Sequence, residues 1–339
     1  MSENMNQDSP LISERTLSPD SSRFLLIKAK GGLGNRILSA VTGLVYADMT
    51  DRVPVIDWRD GAYANAGVNS YPLLFQSPVE LRPENLEELQ DVIPEIWRGH
   101  LHEQPTNMIA RNDPTSHSNP FIYRKYCVDL SRLNTRNELA VYWSYLPKIR
   151  RLRRLMAQNP HYAGRREEDV FNEYLARYFT PNKRVLSAVE DLLAAKHRPI
   201  IGVHIRYTDL TVPLSAVRRA VDEMLEEMPE ASIFLATDND QIQEEMMRSY
   251  SRVFSIEKWF APDGQAIHQN KAASNMLQEA ENALIDMWAL ARCDRLIFSM
   301  RSTFSYASRL IGRMPAQNVV DIDARNIQVV LKRYVQNYI

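Results

Sequence analysis

Three polar segments, each closing an apolar run, carry side chains suited to grip an anionic, hydroxyl-rich small molecule. The first is His204-Ile205-Arg206-Tyr207-Thr208-Asp209, at the end of Ile200 to Arg206. Alternation along a strand puts Gly202, His204 and Arg206 on one face and Ile201, Val203 and Ile205 on the other. The planar fork of Arg206 matches a phosphate, although a pair with Asp209 is a plainer use of it, and His204 can equally be a satisfied core histidine. The second segment is Thr237-Asp238-Asn239-Asp240, one strand-helix-strand unit later, so both open on the same sheet edge. Asp238 can accept ribose hydroxyls or cap the next helix.

The third segment is Ser299-Met300-Arg301-Ser302-Thr303-Phe304-Ser305. Ser302 reads as an N-cap, and the backbone N–H groups that follow it, with Arg301 nearby, form an anion site unless capping alone is their purpose. A glycine turn, Lys30-Gly31-Gly32-Leu33-Gly34-Asn35-Arg36, spaces Gly32 and Gly34 as G-x-G, but Ile37 stands where a dinucleotide fingerprint needs its third glycine. It is a tight turn whose backbone can approach a ligand closely. Asp57-Trp58-Arg59-Asp60 adds two carboxylates able to take a proton and a ring able to stack on a sugar. Their structural uses are a turn cap for Asp57 and a pair with Arg59 or Arg36 for Asp60.

These positions require elements to hold them. Phe24 to Ala29 reads as a strand, the helix after the glycine turn carries Ile37, Leu38, Val41, Leu44 and Val45 on one side, and Val53 to Asp57 is a second strand. From Tyr63 to Pro147 prolines break the pattern. Lys148 to Arg154 reads as a solvated basic helix face, and Val185 to Ala195 as a helix. Strands at 200–206, 232–237, 253–256 and 295–299 then alternate with helices after Pro213, through Glu244 and Met247, over Glu279 to Arg292, and from Ser302. Such alternation predicts parallel, Rossmann-like sheets. The expected division is a disordered leader over 1–22, one unit over 23–182 and a second over 183–339.

Lys and Arg total 41 against 42 Asp and Glu, so no global basic field invites nucleic acid. Cys127 and Cys293 are too few for a disulfide framework or a cysteine zinc site and fit a cytoplasmic chain. No run approaches a membrane span, and nothing indicates the oligomeric state.

Together the glycine turn, His204 to Asp209, Leu235-Ala236-Thr237-Asp238, and Ala283-Leu284-Ile285-Asp286-Met287-Trp288 running into Ser302 to Ser305 resemble the fucosyltransferase superfamily, in particular its NodZ-type and α-1,6 members. The resemblance implies a GT-B fold, two Rossmann-like domains facing a cleft. It also implies inverting, metal-independent transfer of fucose from GDP-fucose, with no cofactor, to a glycan or other hydroxyl acceptor. The second domain would hold the donor and the first the acceptor.

By motif position Arg206 is implied to meet the β-phosphate, His204 and Asp286 the guanine, and Ser302 a phosphate. Gly32, Gly34, Asn35, Arg36, Asp238, Arg301, Thr303 and Phe304 complete the expected donor site. Two departures matter: Tyr207 replaces a second basic residue, and Leu210 and Leu214 stand where the α-1,6 enzymes carry Lys and Glu. The base therefore does not carry over, leaving Asp57, Asp60 and Asp209 as candidates. A catalytically silent GDP-sugar binder, or a metal-dependent transferase of another nucleotide sugar using Asp238-Asn239-Asp240, are the competing readings.

Overall fold

A computed structural model of the chain describes residues 23–76, 86–114, 120–207, 212–260 and 275–338; the expected leader, Asp209 and Leu210 lie outside them. The first unit runs β1 (Arg23–Lys28), α1 (Leu33–Met49), β2 (Arg52–Asp57), α2 (Tyr71–Leu74), β3 (Val92–Ile93), α3 (Pro105–Asn112), α4 (Pro120–Lys125) and β4 (Leu139–Tyr142). Helices α5 (Ile149–Met156), α6 (Glu167–Tyr178) and α7 (Lys183–Ala194) lead to the second. That unit runs β5 (Ile200–Ile205), α8 (Leu214–Glu227), β6 (Ser232–Thr237), α9 (Asp240–Ser249), β7 (Val253–Phe254), α10 (Met276–Ala291), β8 (Arg295–Phe298), α11 (Thr303–Ile311), β9 (Val319–Asp321) and α12 (Ile327–Tyr338).

Both sheets are parallel, ordered β2-β1-β4-β3 and β7-β6-β5-β8-β9. Helices cover parallel strands on both faces, so β5 and β6 are buried along their whole length and read as continuous apolar runs. The second sheet reverses direction between β5 and β8, and the first between β1 and β4. Ligands of open α/β sheets bind beyond the carboxyl ends of the strands at such points. Arg206, Ser299 and the glycine turn therefore sit where ligands are expected.

The expected strands and helices of the second half are present within a few residues. The blurred middle conceals β4, a wholly buried four-residue strand that pairs with both β1 and β3. Its neighbours in sequence are turns and charged residues, too short a context for periodicity to register. The basic face of Lys148 to Arg154 belongs to α5, which buries Ile149 and Leu152 beneath its arginines. Helix α12 returns to pack on α5, so the end of the chain lies against the helical layer that follows the first sheet.

The two units meet through α1 and α11. Residues Leu33 to Ala47 of α1 are buried all round, because the helix is covered by its own sheet on one side and by helices on the other. At the contact a Cβ added to Gly34 would lie 2.5 Å from the backbone N of Phe304 and 2.6 Å from the backbone O of Thr303. Backbone cannot rotate out of the way as a long side chain can, so only glycine permits this approach.

Gly34→Ala is therefore expected to lose about 1–3 kcal/mol of stability, the usual range for overpacking, in urea unfolding. Binding of any ligand held at the start of α11 should weaken with it, because α11 must shift. An alanine variant with unchanged midpoint and unchanged binding would show that the two helix starts can part freely.

Candidate functional site

The carboxyl end of β5 forms the floor. His204 is buried, and its ring stacks on Phe304 with centroids 5.1 Å apart and planes inclined by 21°. Its Nδ1 has no hydrogen-bond partner among the described residues. Burial, with the charges of Arg206 and Lys258, pushes its pKa down to about 3, so the ring is neutral. Asp286 projects from α10 and is buried; its Oδ2 accepts from Lys258 Nζ, while Oδ1 has no partner among the described residues. Burial raises this carboxyl, and Lys258 opposes the rise.

The ends of β5 and β6 lie side by side, and Arg206 Nη1 is 3.8 Å from Oδ2 of Asp238. The other oxygen of Asp238 accepts from the Tyr207 backbone N–H at 2.7 Å. Asp238 thus ties the two strand ends to each other. The helix cap is Asn239, whose side chain accepts from the Ile242 N–H at 2.9 Å. Among the described residues no group of three His, Cys, Asp or Glu is placed to hold a metal ion.

Helix α11 begins at Ser302, whose side chain makes no capping hydrogen bond and is buried. The free N–H groups of a first turn and the helix dipole favour an anion there. Arg301 is anchored by Asp323, Nε to Oδ1 3.2 Å, and Ser299 donates to the same carboxylate. Thr303 donates its hydroxyl to Asn35 Oδ1, across from the first unit.

On that side Gly31 adopts φ +81°, which turns the chain so that its carbonyl accepts from Arg36 Nε at 2.6 Å. The remaining nitrogens of Arg36 fork onto Asp60, Nη1 to Oδ1 3.1 Å and Nη2 to Oδ2 2.5 Å. Tyr63 lies under the Arg36 guanidinium, 4.9 Å from ring centroid to Cζ. Burial raises its hydroxyl to about 12, against the pull of Arg36 and Arg206. Asp60 thus stands at the cleft, in a bidentate pair.

Asp57 is different. Its side chain is 3% exposed and holds Lys28 at 2.9 Å and Arg59 at 2.8 Å. Burial alone would raise its pKa, yet these two cations hold it below the ordinary carboxylate range. Trp58 does not reach a ligand: it is 1% exposed and packs against Tyr71, Phe75 and Phe179. Stacking on a sugar is therefore ruled out for this ring, because a surrounding aromatic cluster already occupies its faces and edges.

Lys258 and Tyr63 join the site without having been singled out in the sequence. Lys258 follows β7, so its place beyond a strand end on the ligand edge was the available signal. Tyr63 lies in an irregular segment and had none. The assembled site offers a flat aromatic floor with buried acceptors, a guanidinium and a helix start at the rim, and a carboxylate across the cleft.

A family model described as Nodulation protein Z (NodZ) matches residues 165–337. The chain is similar to a nodulation protein Z of Azorhizobium caulinodans, 25% identical over 323 residues covering 86% of this chain and 90% of that one. A nodulation protein Z of Bradyrhizobium diazoefficiens is 22% identical over 326 residues, covering 89% of this chain and 81% of its own length. Among solved structures, a NodZ α-1,6-fucosyltransferase soaked with GDP-fucose superposes with a TM-score of 0.61 at 20% identity, over 90% of this chain and 97% of that one.

The geometry sets two expectations for stability. Asp57→Asn strands Lys28 as a buried charge and should cost about 3–5 kcal/mol in denaturant unfolding. His204 is held neutral, so the unfolded chain takes up its proton first and this contribution is lost as pH falls from the ordinary histidine value of 6.5 towards about 3. Compared at pH 7 and about pH 5, His204→Gln should lose less stability on acidification than the wild type. Equal losses would mean that another group carries the acid response.

Proposed function

The chain belongs to the nodulation protein Z family, and from that premise we propose that it moves fucose from GDP-fucose to a hydroxyl of a glycan acceptor, with inversion at the anomeric carbon. The observation that carries this reading is the pair of unsatisfied buried atoms, Asp286 Oδ1 and His204 Nδ1, beside the Arg206 guanidinium. Buried polar atoms are rarely left without partners, and these two stand where a bound base would supply them. In this reading a guanine lies on the Phe304 side of the floor, its N1–H and amino group donating to Asp286. The diphosphate then reaches Arg206 and the start of α11.

Breaking the sugar–phosphate bond builds negative charge on the departing diphosphate. Arg206 and the α11 N–H groups meet that charge as it forms, so their stabilisation belongs to the transition state. Positive charge supplied in this way supports chemistry without a metal ion. The acceptor enters from the first unit, past Tyr63 and Asp60. We assign Asp57 to holding the cleft wall, because its side chain is 3% exposed and it is shut in between buried Lys28 and half-buried Arg59. Asp60 remains the candidate base of the described residues, with a side chain 17% exposed and in reach of the cleft. The two free, buried cysteines support a reducing, cytoplasmic setting.

A second reading, donor binding without turnover, is favoured by Leu214, an apolar residue where related enzymes carry a charged one. The same assay separates them. Purified protein should release GDP from GDP-fucose in the presence of a glycan acceptor, and activity should persist in EDTA. Binding without any release supports the silent reading. Activity lost to EDTA and restored by Mn²⁺ would overturn the metal-free mechanism.

Arg206→Lys should reduce turnover about 100-fold or more while weakening donor binding less, because a point charge cannot rebuild a forked contact. Wild-type turnover in that variant would remove Arg206 from the leaving-group site.

A further inference from the structure

We propose that Lys258 is a specificity-determining residue: its ammonium holds Asp286 as a carboxylate, the form that pairs with guanine and rejects adenine. The inference deepens the nucleotide reading above and rests on it. Lys258 Nζ donates to Asp286 Oδ2, with side chains 6% and 5% exposed, and the second oxygen of Asp286 is buried and open.

The chemistry follows from the Watson–Crick edges. Guanine offers two adjacent donors, N1–H and the 2-amino group, and two carboxylate oxygens accept both. Adenine offers an acceptor at N1 and a donor at N6. A protonated carboxyl, with one O–H and one carbonyl oxygen, matches that edge instead. The protonation state of this one side chain therefore selects the base.

Among the described residues nothing else near Asp286 supplies that bias. His204, at the end of β5, is neutral, and Arg206 is shared with Asp238 from β6. On α7, Arg184 pairs with Glu281 and Glu190 with Arg292, while Lys183 and Asp191 are exposed. On α11, Arg309 pairs with Glu168. On α10 itself Glu279 accepts from Asn282. An isolated carboxylate in such a place takes up a proton, and burial does push Asp286 in that direction. Lys258 is the positioning charge that opposes it.

The test is competitive binding of GDP and ADP to the full-length protein across pH, measured calorimetrically. Wild type should prefer GDP throughout. Lys258→Met should lose about tenfold or more of that preference near pH 6 and regain it as pH rises and Asp286 ionises. Lys258→Arg should restore a flat profile, which a purely structural role for the lysine stem would not require. Asp286→Asn, whose amide presents one donor and one acceptor at every pH, should reproduce the acid-form selectivity without pH dependence. This variant keeps the test decisive should Lys258→Met not fold. A Lys258→Met protein with wild-type preference at every pH, or an Asp286→Asn protein that still favours GDP, overturns the proposal. Wild type that binds GDP and ADP equally overturns the nucleotide reading itself, and the proposal with it.

Discussion

No side chain fits at position 34, and the site depends on that. With a Cβ it would come within 2.5 Å of Phe304 backbone nitrogen, so the first turns of α1 and α11 touch only because a hydrogen stands there. The contact brings the switch point of one sheet against the switch point of the other. It also lets Asn35 accept from Thr303 across the boundary. The start of α11, the guanidinium of Arg206, and the Arg36–Asp60 pair then fall around one cleft, although no two of these come from the same stretch of chain.

Buried charge at the strand ends is organised in two ways. Both oxygens of Asp57 are engaged by Lys28 and Arg59, Arg59 reaches on to Glu87 at 2.6 Å, and Lys28 gives a further hydrogen bond to the Leu101 carbonyl at 2.7 Å. A network so satisfied stiffens the wall it lies in. Arg36 and Asp60 form a similar fork. Asp286 breaks the pattern: it is as buried as Asp57, yet only one of its oxygens is used. Leaving an acceptor unpaired in a dry site is costly unless something arrives to complete it. The contrast separates a satisfied carboxylate from an incompletely satisfied one of the same chemical type.

Much of the second unit was legible in the sequence, because parallel strands buried on both faces are written as uninterrupted apolar runs. Ile200 to Ile205 and Ser232 to Thr237 fall within a residue of the expected positions, and the polar residues directly after them mark the ligand edge. The middle of the first unit was not legible. β4 has four residues and takes its stability from strands on both sides rather than from a local pattern, so nothing short-range announces it. Trp58 was misread for a related reason: an aromatic after a strand end looks available until Tyr71, Phe75 and Phe179 close over it.

Residue types, their spacing and the strand periodicity determined the α/β class and which polar residues close the buried strands, because these depend on neighbours a few positions apart. Only the tertiary structure decided what each group is free to do. Asp57 and Asp60 are equivalent as letters, and so are the histidine and carboxylate of His204 and Asp286 as polar residues on buried elements. Their roles diverge through partners about 20 to 270 positions away in the chain: Lys28 on Asp57, Arg36 on Asp60, Phe304 on His204, Thr303 on Asn35, Lys258 on Asp286. Burial and the charges brought alongside set which oxygen is engaged and which stays open, and those are properties of contact, which spacing along a chain does not encode.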